Sequence, residues 1–214
     1  MVYIEKKIVK KGIFLLKFKD QHSLTSTFLR FQEHYESPKF RGKIFSLKEF
    51  KSWYKTTKKG KFTYYTDWNG FNIPNYILKP FYQGKFNPLS LKERKLLNLF
   101  KDQSTQFYII GTHEKCNSFK HELGHAMFYM DSNYKFEVVK IIKRFKLNKI
   151  KKKLISIGYC NPVLNDEINA YSINGPQKIT SLIPLELKNE LKKLFIEFRK
   201  IKWTSANIML VLIQ

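Results

Sequence analysis

The chain has 214 residues, of which 40 are lysine or arginine and 17 are aspartate or glutamate, so its formal net charge is +23. This length suffices for one domain with its own hydrophobic core, so no metal ion is needed to hold the fold together. The two cysteines, Cys116 and Cys160, exclude a disulfide scaffold, lack the spacing of a thiolate zinc site and indicate a reducing compartment.

We expect neither a signal peptide nor a membrane span in this chain. Residues 2–19 predict two short strands around a turn at Gly12, and no uninterrupted apolar core precedes them. The longest apolar run near the other end, residues 208–213, is far too short to cross a bilayer. We therefore expect a cytoplasmic protein.

Helices and strands alternate through the rest of the first half. Residues 23–35 predict a helix, whereas residues 62–66 alternate like a strand and residues 67–70 supply the turn of a hairpin. Residues 106–110 predict a short buried strand that ends at Gly111.

Two capping boxes mark further helices in this half. Ser46 with Glu49 opens a short helix toward Tyr54. Ser90 with Glu93 opens a helix that extends to about residue 100.

The second half predicts helices only. Their expected ranges are 118–130, 134–145, 149–157, 163–173 and 184–201. The predicted fold class is therefore α+β, with a small mixed sheet in the N-terminal half and a mostly helical C-terminal half. We expect one domain over residues 1–214, made of a sheet-containing lobe at about 1–116 and a helical lobe at about 117–214.

The segment His-Glu-Leu-Gly-His, residues 121–125, predicts a catalytic zinc site. His121 and His125 are four residues apart, so on a helix their ring nitrogens can converge on one zinc ion. Glu122 lies about 100° round the helix from His121, where it can take a proton from a water that the metal activates. This division of roles predicts hydrolysis of an amide bond in a peptide or protein. The alternative is that both histidines merely pack in a core helix.

This segment resembles the active-site helix of the zincin metallopeptidases, whose signature is H-E-x-x-H. The resemblance covers five residues and implies a zincin-like fold, with the sheet packed on the active-site helix. It also implies that residues 106–110 form an edge strand that pairs with extended substrate, although a plain core strand is the alternative. No histidine follows His125, which excludes the metzincin pattern, so the chain resembles the gluzincin branch, in which a glutamate is the third ligand.

Glu167 is the predicted third ligand. Similar E-x-x-A segments carry the glutamate ligand in several gluzincin families. Ala170 and Tyr171 lie on the same helical face as Glu167, and the small Ala170 would let this helix pack close to Gly124. A glycine inside a helix costs about 1 kcal/mol, which a close helix contact would explain. The chain departs from the thermolysin-like E-x-x-x-D pattern, because position 171 is tyrosine.

Other residues remain alternatives for parts of this site. Asp166, Glu137 and His113 are the other candidates for the third ligand. Asp166 could instead hold a ligating histidine in one tautomer, and Tyr171 could donate a hydrogen bond to the oxyanion or simply be packed.

The positive charge supports a second class of function. Nucleic acid is a natural partner for such a chain, but only five of its basic residues are arginine, so compositional bias is the preferred interpretation. Residues 140–153 contain eight basic residues and no acid, which would favour acidic substrates if the charge has a role in catalysis. The alternatives to a peptidase are a lysine-rich nucleic-acid-binding protein with structural or no zinc, and an inactive zincin-fold interaction module.

Overall fold

Residues 4–199 and 208–211 are described by the computed structural model of the chain. The described residues divide into two compact units, and the boundary lies between Cys116 and Asn117. The first unit contains all described strands with five helices, and the second contains helices only. The predicted α+β class is confirmed.

The sheet of the first unit is mixed and has the order β3-β4-β2-β1-β5. Strands β1 and β2 form the predicted antiparallel hairpin, with Ile4 opposite Phe18. Strand β4 pairs parallel with β2 and antiparallel with β3, while β5 pairs antiparallel with β1. The end of the described chain, predicted as part of the helical lobe, thus returns to the sheet. The strands are β1 (Ile4–Lys10), β2 (Ile13–Phe18), β3 (Gly70–Pro74), β4 (Tyr108–His113) and β5 (Ile208–Val211).

Two helices of the first unit begin where the sequence places their caps. Both predicted capping boxes are present, since Ser46 and Ser90 each accept from the main-chain N–H of the glutamate three residues later, and each glutamate side chain bonds back. The helices are α1 (Gln21–Glu36), α2 (Leu47–Thr57), α3 (Tyr64–Asp67), α4 (Lys79–Tyr82) and α5 (Leu91–Asn98), with a 3-10 turn at Asn75–Leu78.

The hairpin predicted around residues 62–70 is wrong. Tyr64–Asp67 form the short helix α3, and the strand begins only at Gly70. The Asp67 carboxylate accepts hydrogen bonds from Thr63 and from the Tyr54 hydroxyl, so it closes a helical turn. Tyr64 is fully buried among other aromatic rings, and this tertiary packing overrides the alternating pattern.

Strand β4 is a core strand, so the predicted edge strand for substrate is wrong. Its six residues are buried, and β2 and β3 occupy both of its edges. The strand also continues past Gly111, where it was predicted to end. A Cβ at Gly111 would lie 2.6 Å from the ring of Phe28, so this glycine lets α1 approach the sheet.

The second unit confirms the predicted helices. Helix α6 packs against α7 and α9, and α11 packs against the same two helices. No helix in the described ranges combines the length and the apolar character that a membrane crossing needs. The helices are α6 (Phe119–Met130), α7 (Ser132–Ile142), α8 (Asn148–Ser156), α9 (Leu164–Ile173), α10 (Gln177–Thr180) and α11 (Leu185–Phe198), with a 3-10 turn at Asn161–Val163.

Candidate metal centre

The two histidines of the motif lie one turn apart on α6, as predicted. Leu123, Ala126 and Met127 are buried and anchor the opposite side of this helix. The ring nitrogens Nε2 of His121 and His125 converge to 3.2 Å. The spacing of the motif therefore brings together two ring nitrogens that could bind one metal ion.

The other ring nitrogen of each histidine faces a hydrogen-bond acceptor. Nδ1 of His121 lies 2.9 Å from the main-chain oxygen of Asn174. Nδ1 of His125 lies 3.0 Å from Oδ2 of Asp166. Each Nδ1 therefore carries a hydrogen that it donates to its acceptor, which is the arrangement that orients ligating histidines in metal sites.

These hydrogen bonds determine which nitrogen of each ring keeps its lone pair. With the Nδ1 atoms as donors, the neutral rings direct their Nε2 lone pairs toward each other. Two lone pairs at 3.2 Å repel unless a cation, either a proton or a metal ion, lies between them. Two nitrogen ligands of one tetrahedrally coordinated metal ion lie about 3.3 Å apart, so the observed separation fits a shared metal ion.

Helix α9 brings the third predicted ligand to the same place. Oε1 of Glu167 lies 3.8 Å from Nε2 of His125, and the Glu167 side chain is buried. One ligand atom from each of His121, His125 and Glu167 lies within 4.8 Å of the others. Within the described ranges, this is the one group of three or more histidine, cysteine or acidic residues that could hold a metal ion.

The close contact between α6 and α9 depends on small residues, as predicted. A Cβ built on Gly124 would lie 3.4 Å from the Cα of Ala170. The side-chain amide of Asn169 donates to the main-chain oxygen of Gly124 at 3.4 Å, and its own oxygen accepts from the Tyr134 hydroxyl. These contacts position Glu167 beside the histidines.

The surroundings of the two histidines shift their pKa values in opposite directions. Burial lowers the pKa of His121, and the charge of His125 lowers it further. Burial also opposes protonation of His125, but the carboxylates of Asp166 and Glu167 outweigh it and hold the pKa of His125 well above its ordinary value. The negative charge of these carboxylates therefore stabilises a cation at this site.

Glu122, the predicted general base, is buried on the same helix. Its negative charge favours protonation of both histidines, although the pKa of His121 stays below its ordinary value. It is thus close enough to influence both histidines without belonging to the His-His-Glu group.

Tyr171 lies against His121, with the two ring centroids 4.8 Å apart. Its hydroxyl lies 3.0 Å from the hydroxyl of Tyr159, and burial raises the pKa of Tyr171. Because either hydroxyl can donate in this pair, Tyr171 can direct its proton elsewhere while accepting from Tyr159. The ring packs as an ordinary tyrosine would, yet its hydroxyl remains available as a donor.

The alternative third ligands lie outside this group. Asp166 instead contacts Nδ1 of His125, and its other carboxylate oxygen is buried without a hydrogen-bond partner among the described residues. Glu137 lies on α7, 3.4 Å from Lys140. His113 ends β4 in the first unit, where its ring lies 3.3 Å from the side-chain oxygen of Asn69.

Three residues that support the site were not predicted from the sequence. Asn174 orients His121 through its main-chain oxygen, and its side chain donates to the main-chain oxygen of Asn117. Asn169 joins α9 to α6, and Tyr159 holds Tyr171. The position of Asn169 two residues after Glu167 was a usable signal, because a polar residue inside a buried helix needs a partner.

The chain matches no family model, no curated protein and no solved structure.

Proposed function

We propose that this chain is a zinc-dependent peptidase with a zincin-like site, in which His121, His125 and Glu167 hold the metal. The observation that carries the proposal is the convergence of two Nε2 atoms at 3.2 Å while both Nδ1 atoms are engaged by acceptors. A carboxylate oxygen of Glu167 lies 3.8 Å from one of them. Two nitrogens and one carboxylate, with a fourth position left for water or substrate, are the donor set of a catalytic zinc ion.

The residues around these ligands support hydrolysis. When bound, zinc would supply Lewis-acid activation of a water molecule and of the scissile carbonyl group. The Glu122 carboxylate would take the proton of the attacking water and pass it to the leaving amine. The Tyr171 hydroxyl would donate a hydrogen bond to the oxygen of the tetrahedral intermediate.

The arrangement of ligands on two helices favours the gluzincin branch. His121 and His125 come from α6, whereas Glu167 comes from α9, near the start of that helix. Asp166 would be the supporting carboxylate, since it accepts a hydrogen bond from Nδ1 of His125. In the E-x-x-x-D pattern, by contrast, the aspartate follows the glutamate ligand by four residues. We therefore propose a His-His-Glu site whose supporting acid precedes the ligand.

The test is zinc content by elemental analysis, combined with cleavage of a quenched peptide library. The site variants are His125→Ala, Glu167→Ala and Glu122→Gln. The matched controls are His34→Ala and Glu137→Ala, since neither residue belongs to the His-His-Glu group and each has another partner. We expect one zinc per chain in the wild type and in both controls.

The variants separate the metal site from the chemistry. His125→Ala and Glu167→Ala should lose the metal, because each removes a ligand from a three-ligand set. Glu122→Gln should keep the metal and lose cleavage. Absence of zinc from wild-type protein prepared with zinc in the medium would refute the site, and equal cleavage by Glu122→Gln would refute the role of Glu122.

A further inference from the structure

A basic segment runs from the last turn of α7 through the following loop to the end of α8. No acidic residue lies between Glu137 and Asp166, whereas eight basic residues do. Six of the eight are exposed and the remaining two are half-buried. We call this set the α7–α8 basic surface; it comprises Lys140, Lys143, Arg144, Lys146, Lys149, Lys151, Lys152 and Lys153.

Only two members of this surface have an acidic partner among the described residues. Lys140 lies 3.4 Å from Glu137, and Arg144 pairs with Glu190 on α11. The other six lysines have no carboxylate within ion-pair distance in the part of the chain that the structure describes. Their charge is therefore available to a partner.

The α7–α8 basic surface belongs to the same compact unit as the candidate metal site. Helix α8 packs against α9, the helix that carries Glu167. Tyr159, three residues after α8 ends, contacts the hydroxyl of Tyr171 at 3.0 Å, and the Tyr171 ring lies against His121. A chain of direct contacts thus connects the end of the basic helix to a proposed metal ligand.

We propose that the α7–α8 basic surface binds an acidic polypeptide segment and so directs acidic substrates to the metal site. This inference rests on the proposed peptidase function, because it names the substrate class of the same site. Lysine ammonium groups on long flexible side chains pair with carboxylates without strict geometry, so they select for charge rather than for one sequence. Each exposed pair contributes little, but several act together.

Nucleic acid is the less favoured partner of this surface. Its single arginine, Arg144, is already paired with Glu190, so no free guanidinium is left to bind phosphate bidentately. An acidic polypeptide, in contrast, needs only the lysines, and polypeptides are the substrate class of the proposed peptidase. The test therefore includes a nucleic acid as a competing outcome.

The test measures binding with the full chain carrying Glu122→Gln, so that no probe is cleaved. Two fluorescent peptides of equal length are compared by anisotropy, one containing six glutamates and one with glutamines in their place, beside a single-stranded oligonucleotide of equal charge. The surface variant is Lys149→Gln/Lys152→Gln/Lys153→Gln. The control, Lys48→Gln/Lys55→Gln/Lys61→Gln, removes the same charge from exposed lysines of the first unit.

We expect tighter binding of the acidic peptide than of its neutral counterpart, with a loss of about tenfold in affinity in the surface variant and little change in the control. Equal losses in both variants, or no preference for the acidic peptide, would overturn the inference. Tighter binding of the oligonucleotide through the same lysines would overturn it in favour of nucleic acid.

Two outcomes distinguish failure of the proposed peptidase function from failure of the proposed substrate class. Wild-type protein that binds the acidic peptide through these lysines, contains zinc and cleaves no peptide would refute the peptidase while leaving the acidic-polypeptide surface intact. Cleavage of neutral and acidic peptides at equal rates, with unchanged zinc content, would refute the substrate class and leave the peptidase intact.

Discussion

Gly124 faces Ala170 where α6 and α9 meet, and a Cβ on Gly124 would lie 3.4 Å from the Cα of Ala170. The same Cβ would lie 2.8 Å from Cδ1 of Ile173, which is closer than packed carbon atoms approach. The main chain of α9 therefore leaves just enough space for a methyl group, and the end of the Ile173 side chain occupies it. This contact holds Glu167 beside the two histidines.

Replacement of Gly124 by alanine should have little net effect on stability. The helix would gain about 1 kcal/mol from the better helix former, and displacement of Ile173 Cδ1 would offset that gain. In an Ile173→Val background, which lacks Cδ1, the same replacement should become more favourable by about 1 kcal/mol. Urea unfolding of the four proteins in this double-mutant cycle measures the coupling. An identical effect of Gly124→Ala in both backgrounds would contradict the role assigned to Ile173.

The Asp166 carboxylate should strengthen metal binding through His125. Asp166→Ala removes the acceptor at 3.0 Å from Nδ1, and loss of such a supporting group weakens metal affinity about 10- to 100-fold. Asp166→Asn should lose less, because its amide oxygen still accepts the hydrogen bond although the charge is gone. Competition with a chromophoric chelator measures the affinity, with Glu197→Ala on the exposed side of α11 as the control. If both Asp166 variants bind metal as tightly as Glu197→Ala, Asp166 has no supporting role.

Tyr171→Phe should lower kcat about 100-fold or more while leaving the zinc content unchanged, because it removes the proposed donor to the oxyanion. Tyr159→Phe should have a milder effect, since Tyr171 keeps its own hydroxyl. Steady-state kinetics on one peptide substrate, with zinc content measured on the same preparations, separates kcat from metal loss. A kcat in Tyr171→Phe equal to that of the wild type would show that Tyr171 only packs against His121.

The helical part of the structure was predictable because its signals are local. Capping boxes at Ser46 and Ser90 act within one turn, and the four-residue spacing of His121 and His125 determines their common face. Glu167 could be predicted because Ala170 lies on the same helical face, and a small residue there allows close packing against Gly124. Each of these inferences uses residues whose geometric relationship a helix already defines.

The sheet was less predictable because its pairing joins distant segments. Strand β4 pairs with β2 over a separation of nearly one hundred residues, and no local pattern indicates that β3 would cover its other edge. The orientation of His121 depends on the main-chain oxygen of Asn174, a group that every residue type possesses. The identity of residue 174 therefore could not indicate this hydrogen bond.

Glu33, outside the candidate metal site, has an unusual environment on α1. Its side chain is buried, and burial raises the pKa of Glu33 to about 7, although hydrogen bonds with Tyr64 and Ser37 favour the charged form. The folded protein therefore binds the Glu33 proton more tightly than the unfolded chain, in which the carboxyl titrates near 4.5. The resulting stabilisation is fully present below pH 4.5 and is lost as the pH rises through about 7.

Glu33→Gln should remove this pH dependence, because a neutral amide of the same shape does not titrate. Relative to the wild type, the free energy of unfolding of the variant should increase by about 3 kcal/mol as the pH rises from below 4.5 to above 7. Urea unfolding across this pH range measures the difference, and Glu36→Gln, an exposed change on the same helix, serves as the control. The comparison with the wild type cancels the repulsion among the many lysines, whose charge both proteins share. Parallel stability curves for the wild type and Glu33→Gln would show that Glu33 titrates alike in the folded and unfolded chain.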